Sequence, residues 1–167
     1  MAIIRLAHDG YGQLELNQVA FRRDGRIEAQ CKMADGIEYL ENGMILAIDQ
    51  ATRTVNYPTG NDEFLALNYT TEHMYDERAI GLKNFKLDKD TFLPRLGYLA
   101  TGDKFTTNCV SYDDASDIAE ICAEAAYGHA YEDGSILVNN EKDGAILKVV
   151  KYTTMPDGQP AVKFIAL

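Results

Sequence analysis

Asn42-Gly43-Met44-Ile45-Leu46-Ala47-Ile48 decides how this chain reads. From Met44 to Ile48 the run is continuously apolar, and Asp49 ends it. Five residues suit a strand, whereas a helix needs ten or more. With no polar residue at alternate positions the strand has no face to offer water, so it reads as buried on both sides. Asn42-Gly43 in front of it is turn chemistry: Gly takes positive φ without a Cβ penalty, and Asn tolerates the left-handed region. Ile37-Glu38-Tyr39-Leu40 before the turn predicts a hairpin there.

The same punctuation recurs along the chain. Of thirteen glycines, seven directly follow Asp or Asn, at 10, 25, 36, 43, 134, 144 and 158. Between these pairs lie short runs of β-branched and aromatic residues, the mark of an antiparallel β protein with many turns. Val19-Ala20-Phe21 and Arg26-Ile27-Glu28-Ala29 flank Asp24-Gly25 as a hairpin. Thr52–Tyr57 alternates and stops at Pro58, and Phe64–Tyr69 is another strand. Tyr98–Ala100, Thr101-Gly102-Asp103 and Lys104–Val110 read as strand, turn, strand. Ser135–Val138 lies between Asp133-Gly134 and Asn139-Asn140. Ala145–Tyr152 and Ala161–Leu167 flank Pro156-Asp157-Gly158, which suits a type I turn with a following bulge and a closing hairpin.

One helix is expected, at 115–127. Asp113 and Asp114 offer N-cap oxygens, and acidic residues crowd its start. Ile118, Ile121, Cys122, Ala125 and Ala126 form an apolar stripe, and Gly128 stands where a helix C′ glycine would. Residues 70–96 read as a long excursion with one helical turn, tied down by Phe85, Phe92 and Leu93. Such loops often carry contacts, which makes this one a candidate surface. Residues 1–33 hold four arginines before their first lysine, Lys32, and read as an N-terminal hairpin or extension suited to docking, with 34–167 as the main β-rich domain. The predicted fold class is α+β, mainly β: a small antiparallel barrel or sandwich with one packed helix.

A net charge of −10 opposes binding to nucleic acid and to anionic membrane, and would attract a basic partner surface. Cys31, Cys109 and Cys122 are widely spaced and odd in number, which reads as free thiols in a reducing cytoplasm. His8, His73 and His129 lack metal-site spacing. The start of the chain has no signal-peptide pattern, and no apolar run approaches the ~20 residues that cross a bilayer. Phosphate-loop and nucleophile-elbow patterns are absent, and Gly10-Tyr11-Gly12 lacks the third glycine of a dinucleotide fingerprint. Asp88 and Asp90 lack the glycine and closing glutamate of a calcium loop. Tyr69, Tyr75, Tyr98 and Tyr112 suit core and cross-strand packing better than an aromatic partner surface. No catalytic residue, cofactor or metal is nominated.

Several stretches resemble small proteins encoded beside major capsid genes in tailed bacteriophages. They are Glu41–Leu46, Thr71–Arg78, Leu82–Phe85, Arg95–Leu99 with Gly102–Thr106, Gly144–Val150 and Met155–Gly158, of which Met74-Tyr75-Asp76-Glu77-Arg78 is the most specific. The resemblance implies a non-enzymatic virion protein of decoration, cement or head-fibre type. It would bind the outer shell through the major capsid protein and self-associate as a homo-oligomer. It would be made in the host cytoplasm and would bind neither nucleic acid nor membrane. Partner contacts are then expected at Arg5, Arg22, Arg23, Arg26, His73, Met74, Tyr75 and Arg78. The alternative is a small ligand- or carbohydrate-binding β-barrel module. A hydrolase with a site assembled from dispersed Asp, Glu and His stands third.

Overall fold

The structure is a computed structural model that describes residues 2–62, 64–70 and 82–167. The chain runs through β1 (Ile3–Arg5), β2 (Leu14–Gln18), β3 (Ile27–Glu28), β4 (Lys32–Met33), β5 (Tyr39–Leu40) and β6 (Ile45–Asp49). Next come β7 (Thr54–Asn56), β8 (Leu65–Asn68), a 3-10 turn at Leu82–Asn84, β9 (Leu87–Asp88), β10 (Leu96–Gly97), β11 (Lys104–Thr107) and β12 (Val110–Asp113). Helix α1 (Ile118–Ala123) precedes β13 (Tyr127–Ala130), β14 (Ile136–Asn139), β15 (Leu147–Thr154) and β16 (Pro160–Ala166). An eight-stranded sheet has the order β1-β12-β14-β13-β15-β16-β11-β2, and a six-stranded sheet the order β3-β10-β8-β6-β7-β4. Strands β5 and β9 form a third, small sheet.

Strand β6 lies inside the six-stranded sheet, and its residues from Ile45 to Ile48 are buried. Because side chains alternate across a strand, it feeds two cores. Ile45, with Leu67 of β8, packs into a cluster with Phe105, Val110, Ile136, Leu147 and Phe164 of the eight-stranded sheet. Met44, Leu46 and Ile48 face the other way. They join Val55, Ala66 and Leu96 under a cover that includes Cys31, Met33, Ile37, Leu40 and Leu87. The molecule is therefore a sandwich whose second sheet is covered on its outer side too, not a closed barrel. The unbroken apolar run at 44–48 is the imprint of those two dry faces.

The closing hairpin forms as expected, and its β15 and β16 are the longest described strands. At its tip Met155 N donates to Gln159 O at 2.8 Å, and Gly158 sits at φ +87, where a side chain would strain the backbone. Other expectations need correction. Two strand pairs are parallel, β12 with β14 and β4 with β7, so the sheets are mixed. A parallel pair needs a crossover, and α1 with β13 supplies the one between β12 and β14. Asp24-Gly25 does not close a hairpin: β2 pairs with β11 and β3 with β10, so this turn hands the chain from one sheet to the other. Thr101-Gly102-Asp103 makes a similar transfer from β10 to β11.

Asn42-Gly43 likewise links β5 to β6, which lie in different sheets. The hairpin of β6 turns instead at 50–53, where no glycine advertises it: Asp49 Oδ1 accepts from Ala51 N and Thr52 N, and Arg53 itself takes φ +57. Helix α1 is shorter than 115–127. Asp113 pairs with Ile3 as the last residue of β12, and Asp117 is the cap, accepting from Ala119 N at 2.8 Å. Its C-terminal end stops early because residues 127–130 are hydrogen-bonded as β13 to β14 and β15. Gly128 is thus a strand residue, where an added Cβ would meet Ile136 at 2.9 Å. Of the expected stripe, Ile118, Cys122 and Ala126 bury in the first core and Ile121 packs against it, whereas Ala125 is exposed beyond the helix end.

Residues 1–33 are woven into both sheets through β1 to β4. Of the three residues expected to tie down the 70–96 excursion, Phe85 packs against the second core. Phe92 and Leu93 stand exposed.

If both faces of β6 are dry, truncations at consecutive positions must hurt alike. Ile45→Ala and Leu46→Ala are each expected to cost about 2–5 kcal/mol in urea unfolding. A strand buried on one side only would spare one of the two.

Candidate functional site

The most concentrated chemistry among the described residues is buried, around Glu41. This residue is 3% exposed and sits between β5 and β6. Its carboxylate accepts from Arg5 Nη1 at 2.7 Å and Nη2 at 3.2 Å, and from Gly12 N at 2.6 Å. Arg5 Nη2 also donates to Cys109 Sγ at 3.1 Å. Around this group Thr107 Oγ1 donates to Gln13 O at 2.6 Å and accepts from Cys109 N, while Asn108 Oδ1 accepts from Gln13 N at 2.7 Å. Gly43, at φ +86, lets the backbone close on this knot, since a Cβ there would fall 2.0 Å from Thr107 Oγ1.

The arrangement is built to hold rather than to react. Burial pushes the Cys109 thiol up to about 12, against the opposing pull of Arg5, so at neutral pH it is a thiol and not a nucleophilic thiolate. Burial likewise lifts Cys122 to about 11. For Arg5, burial lowers the pKa, but Cys109 and Glu41 raise it by more, and the guanidinium stays charged. All three cysteines are free. Among the described residues no group of three or more His, Cys, Asp or Glu side chains could hold a metal ion, and no helix is long and apolar enough to cross a membrane.

The residues expected to contact a partner divide three ways. Arg5 is turned onto Glu41 and is 33% exposed, so its charge is already engaged. Arg22, Arg23 and Arg26 share the turn that leads from β2 to β3. Arg23 is 80% exposed and pairs with Asp24 at 2.8 Å, and Arg26 approaches the same carboxylate at 3.6 Å. His73, Met74, Tyr75 and Arg78 lie outside the described residues. Of the four tyrosines, Tyr69 is buried against Phe21, ring centroids 5.0 Å apart, and Tyr98 accepts a hydrogen bond from Gln50 Nε2. Tyr112 packs on the first core, and Tyr75 lies outside the described residues.

The most exposed aromatic among the described residues departs from the expectation of an inward anchor. Phe92, given an anchoring role, is 75% exposed, and Leu93 beside it is exposed as well. Together with Lys32, Met33, Asp90 and Thr91 they line a cleft of about 230 Å³. No pattern in Asp90-Thr91-Phe92-Leu93 separates an outward aromatic from an inward one; the packing of the surrounding chain decides it. The buried Glu41 knot was also missed, because its members are spread from Arg5 to Cys109.

No protein-family model, curated protein or solved structure matches this chain.

Arg5→Met should be more damaging than Glu41→Gln. Removing the arginine strands a buried carboxylate, for a cost of about 3–5 kcal/mol. The converse change leaves a partly exposed guanidinium that water can reach and an amide that still accepts from Gly12, for about 1–3 kcal/mol. Chemical denaturation of the two variants tests the order.

The raised thiols predict alkaline sensitivity. Below 9.0, the ordinary thiol value, both folded and unfolded states keep the Cys109 proton and its contribution is whole. Between 9.0 and about 12 the unfolded state gives up its proton first, so stability falls as pH rises. Urea midpoints across that window should drop for the parent protein and drop less for Cys109→Ala.

Proposed function

We propose that this protein is a non-enzymatic virion component of a tailed bacteriophage that binds the outer face of the capsid shell as a decoration, cement or head-fibre-like element. Its partner is the major capsid protein, and it works as a homo-oligomer on the particle surface after synthesis in the host cytoplasm. The resemblance at Glu41–Leu46, Thr71–Arg78 and the further stretches named above is the reason for choosing this class. The observation that carries it in the molecule is the outward Phe92-Leu93 pair. It lies in the same 70–96 excursion that the sequence marks as a contact surface. An exposed aromatic beside an exposed leucine is the kind of anchor that macromolecular interfaces bury.

Three further features support the reading. The double-layered β core is mechanically suited to a particle exterior. The net charge of −10 disfavours a role on packaged nucleic acid. The most concentrated polar chemistry among the described residues is held in the buried knot around Glu41, where Arg5 and Cys109 already occupy one another. Symmetric assembly on a capsid lattice would multiply a weak contact per subunit.

The test is to incubate purified protein with particles that lack it and sediment the mixture. Co-sedimentation at micromolar concentration is expected, together with about a tenfold or greater weakening in the Phe92→Ser, Leu93→Ser double variant. Protein that stays in the supernatant at that concentration would remove the proposal.

A further inference from the structure

At the far end of β6, away from the Glu41 knot, a cleft of about 430 Å³ opens to solvent. Its lining includes Asp49, Gln50, Asn56, Thr59, Asp62 and Phe64, with the buried Ala47 and Ile48 of β6 beside them. That volume falls in the range of small-molecule sites, about 300–1,000 Å³. The composition is selective. Phe64 is 44% exposed although it adjoins a sheet with two dry faces, so its ring is a platform left in water. Every other large side chain on the rim is rich in acceptors.

The rim oxygens are held in place by the backbone. Asp49 Oδ1 accepts from Ala51 N at 2.8 Å and Thr52 N at 3.1 Å. Asp62 Oδ2 accepts from Thr59 N at 2.6 Å and Gly60 N at 3.2 Å, and its Oδ1 accepts from Thr59 Oγ1. Gln50 is oriented by its Nε2 bond to the Tyr98 hydroxyl at 2.7 Å, which leaves Oε1 available. Asn56 Nδ2 leans on Thr54 Oγ1 at 3.5 Å, and its Oδ1 also accepts nothing among the described residues. Neither Asp49 nor Asp62 is in an ion pair with a described residue. The cleft thus offers an apolar ring beside preset acceptors, two of them carboxylates. A fitting ligand has one apolar face, many hydroxyl donors and no negative charge.

We propose that this cleft is a saccharide-binding site for neutral or amino pyranoses, with the sugar's C–H face on Phe64 and its hydroxyls donating to Asp49, Asn56 and Asp62. The ring contact supplies the apolar term and the side-chain oxygens supply orientation. Acidic sugars are rejected because their carboxylate would stand beside two others with no cation between them. The cleft is open, so each sugar binds weakly, in the millimolar range, and a repeating glycan would bind more tightly through several copies of the chain. The site does not depend on shell binding: its described lining comes from β6, β7, Thr59, Asp62 and Phe64, not from the Phe92 surface.

The experiment is a titration of the full chain, followed by amide chemical shifts, with maltose, cellobiose, lactose, chitobiose, glucuronic acid and a lysine-containing tripeptide. Shift changes at residues 47–51, 56 and 59–64 with one or more of the neutral or amino sugars are expected, with glucuronic acid inert. Phe64→Leu keeps an apolar side chain but removes the ring, and should weaken binding about tenfold. Asn56→Ala tests the acceptor role at a second position, so a folding defect in one variant leaves the other to decide. Binding of glucuronic acid equal to the neutral sugars, response to the tripeptide alone, or silence with every sugar overturns the assignment. Capsid co-sedimentation is unaffected by any of these outcomes, so the two proposals fail separately.

Discussion

The carboxylate of Glu41 is the point on which the two large sheets are fastened. It sits between β5 and β6, yet it is grasped by Arg5 from an edge strand of the eight-stranded sheet and by Gly12 N from the link to the opposite edge. Such an ion pair adds little net stability compared with apolar packing of the same volume, because both charges lose water. What it supplies here is register. A carboxylate with three hydrogen bonds fixes the position of β1 and the β1–β2 link against the turn that starts β6. Thr107, Asn108 and Gln13 extend the same network, so a polar seam crosses a molecule that is otherwise held by Leu, Ile, Val and Phe.

That seam lets β6 serve two cores at once. With one end anchored, its alternating side chains are committed: Ile45 to the space between the sheets, Leu46 and Ile48 to the space beneath β5 and β9. A slip by one residue would exchange the two sets, and both sides being apolar, hydrophobicity alone would tolerate it. The polar anchor discriminates where burial does not. Among the described residues the surface carries an apolar pair at Phe92-Leu93, an arginine-bearing turn and an acceptor-lined cleft beside Phe64. The first and last of these are where the shell-binding and saccharide proposals place their contacts.

Much of the architecture was written locally. The unbroken run at 44–48, the closing hairpin around Pro156-Asp157-Gly158 and the apolar stripe at Ile118 and Cys122 each follow from neighbours in sequence, and each is found in the structure. The errors share one origin. Asp24-Gly25 and Asn42-Gly43 state that the chain turns, but not which strand it meets afterwards; both turns lead into another sheet. The helix ended early because two neighbouring strands, β14 and β15, claimed residues 127–130 as a third. The outward Phe92 was invisible for a similar reason: an aromatic in a loop is as apt to anchor as to project.

Composition and short-range pattern by themselves determined a β-rich acidic chain, a helix packed through Ile118 and Cys122, and a two-faced central strand. Those properties depend on residue chemistry and on periods of two to four residues, which any isolated segment already contains. Tertiary structure alone decided the sandwich over the barrel, the mixed strand directions, the Arg5–Glu41–Cys109 knot and the cleft beside Phe64. Each of these joins residues distant in sequence through hydrogen bonds and packing whose geometry exists only after the sheets have closed on one another.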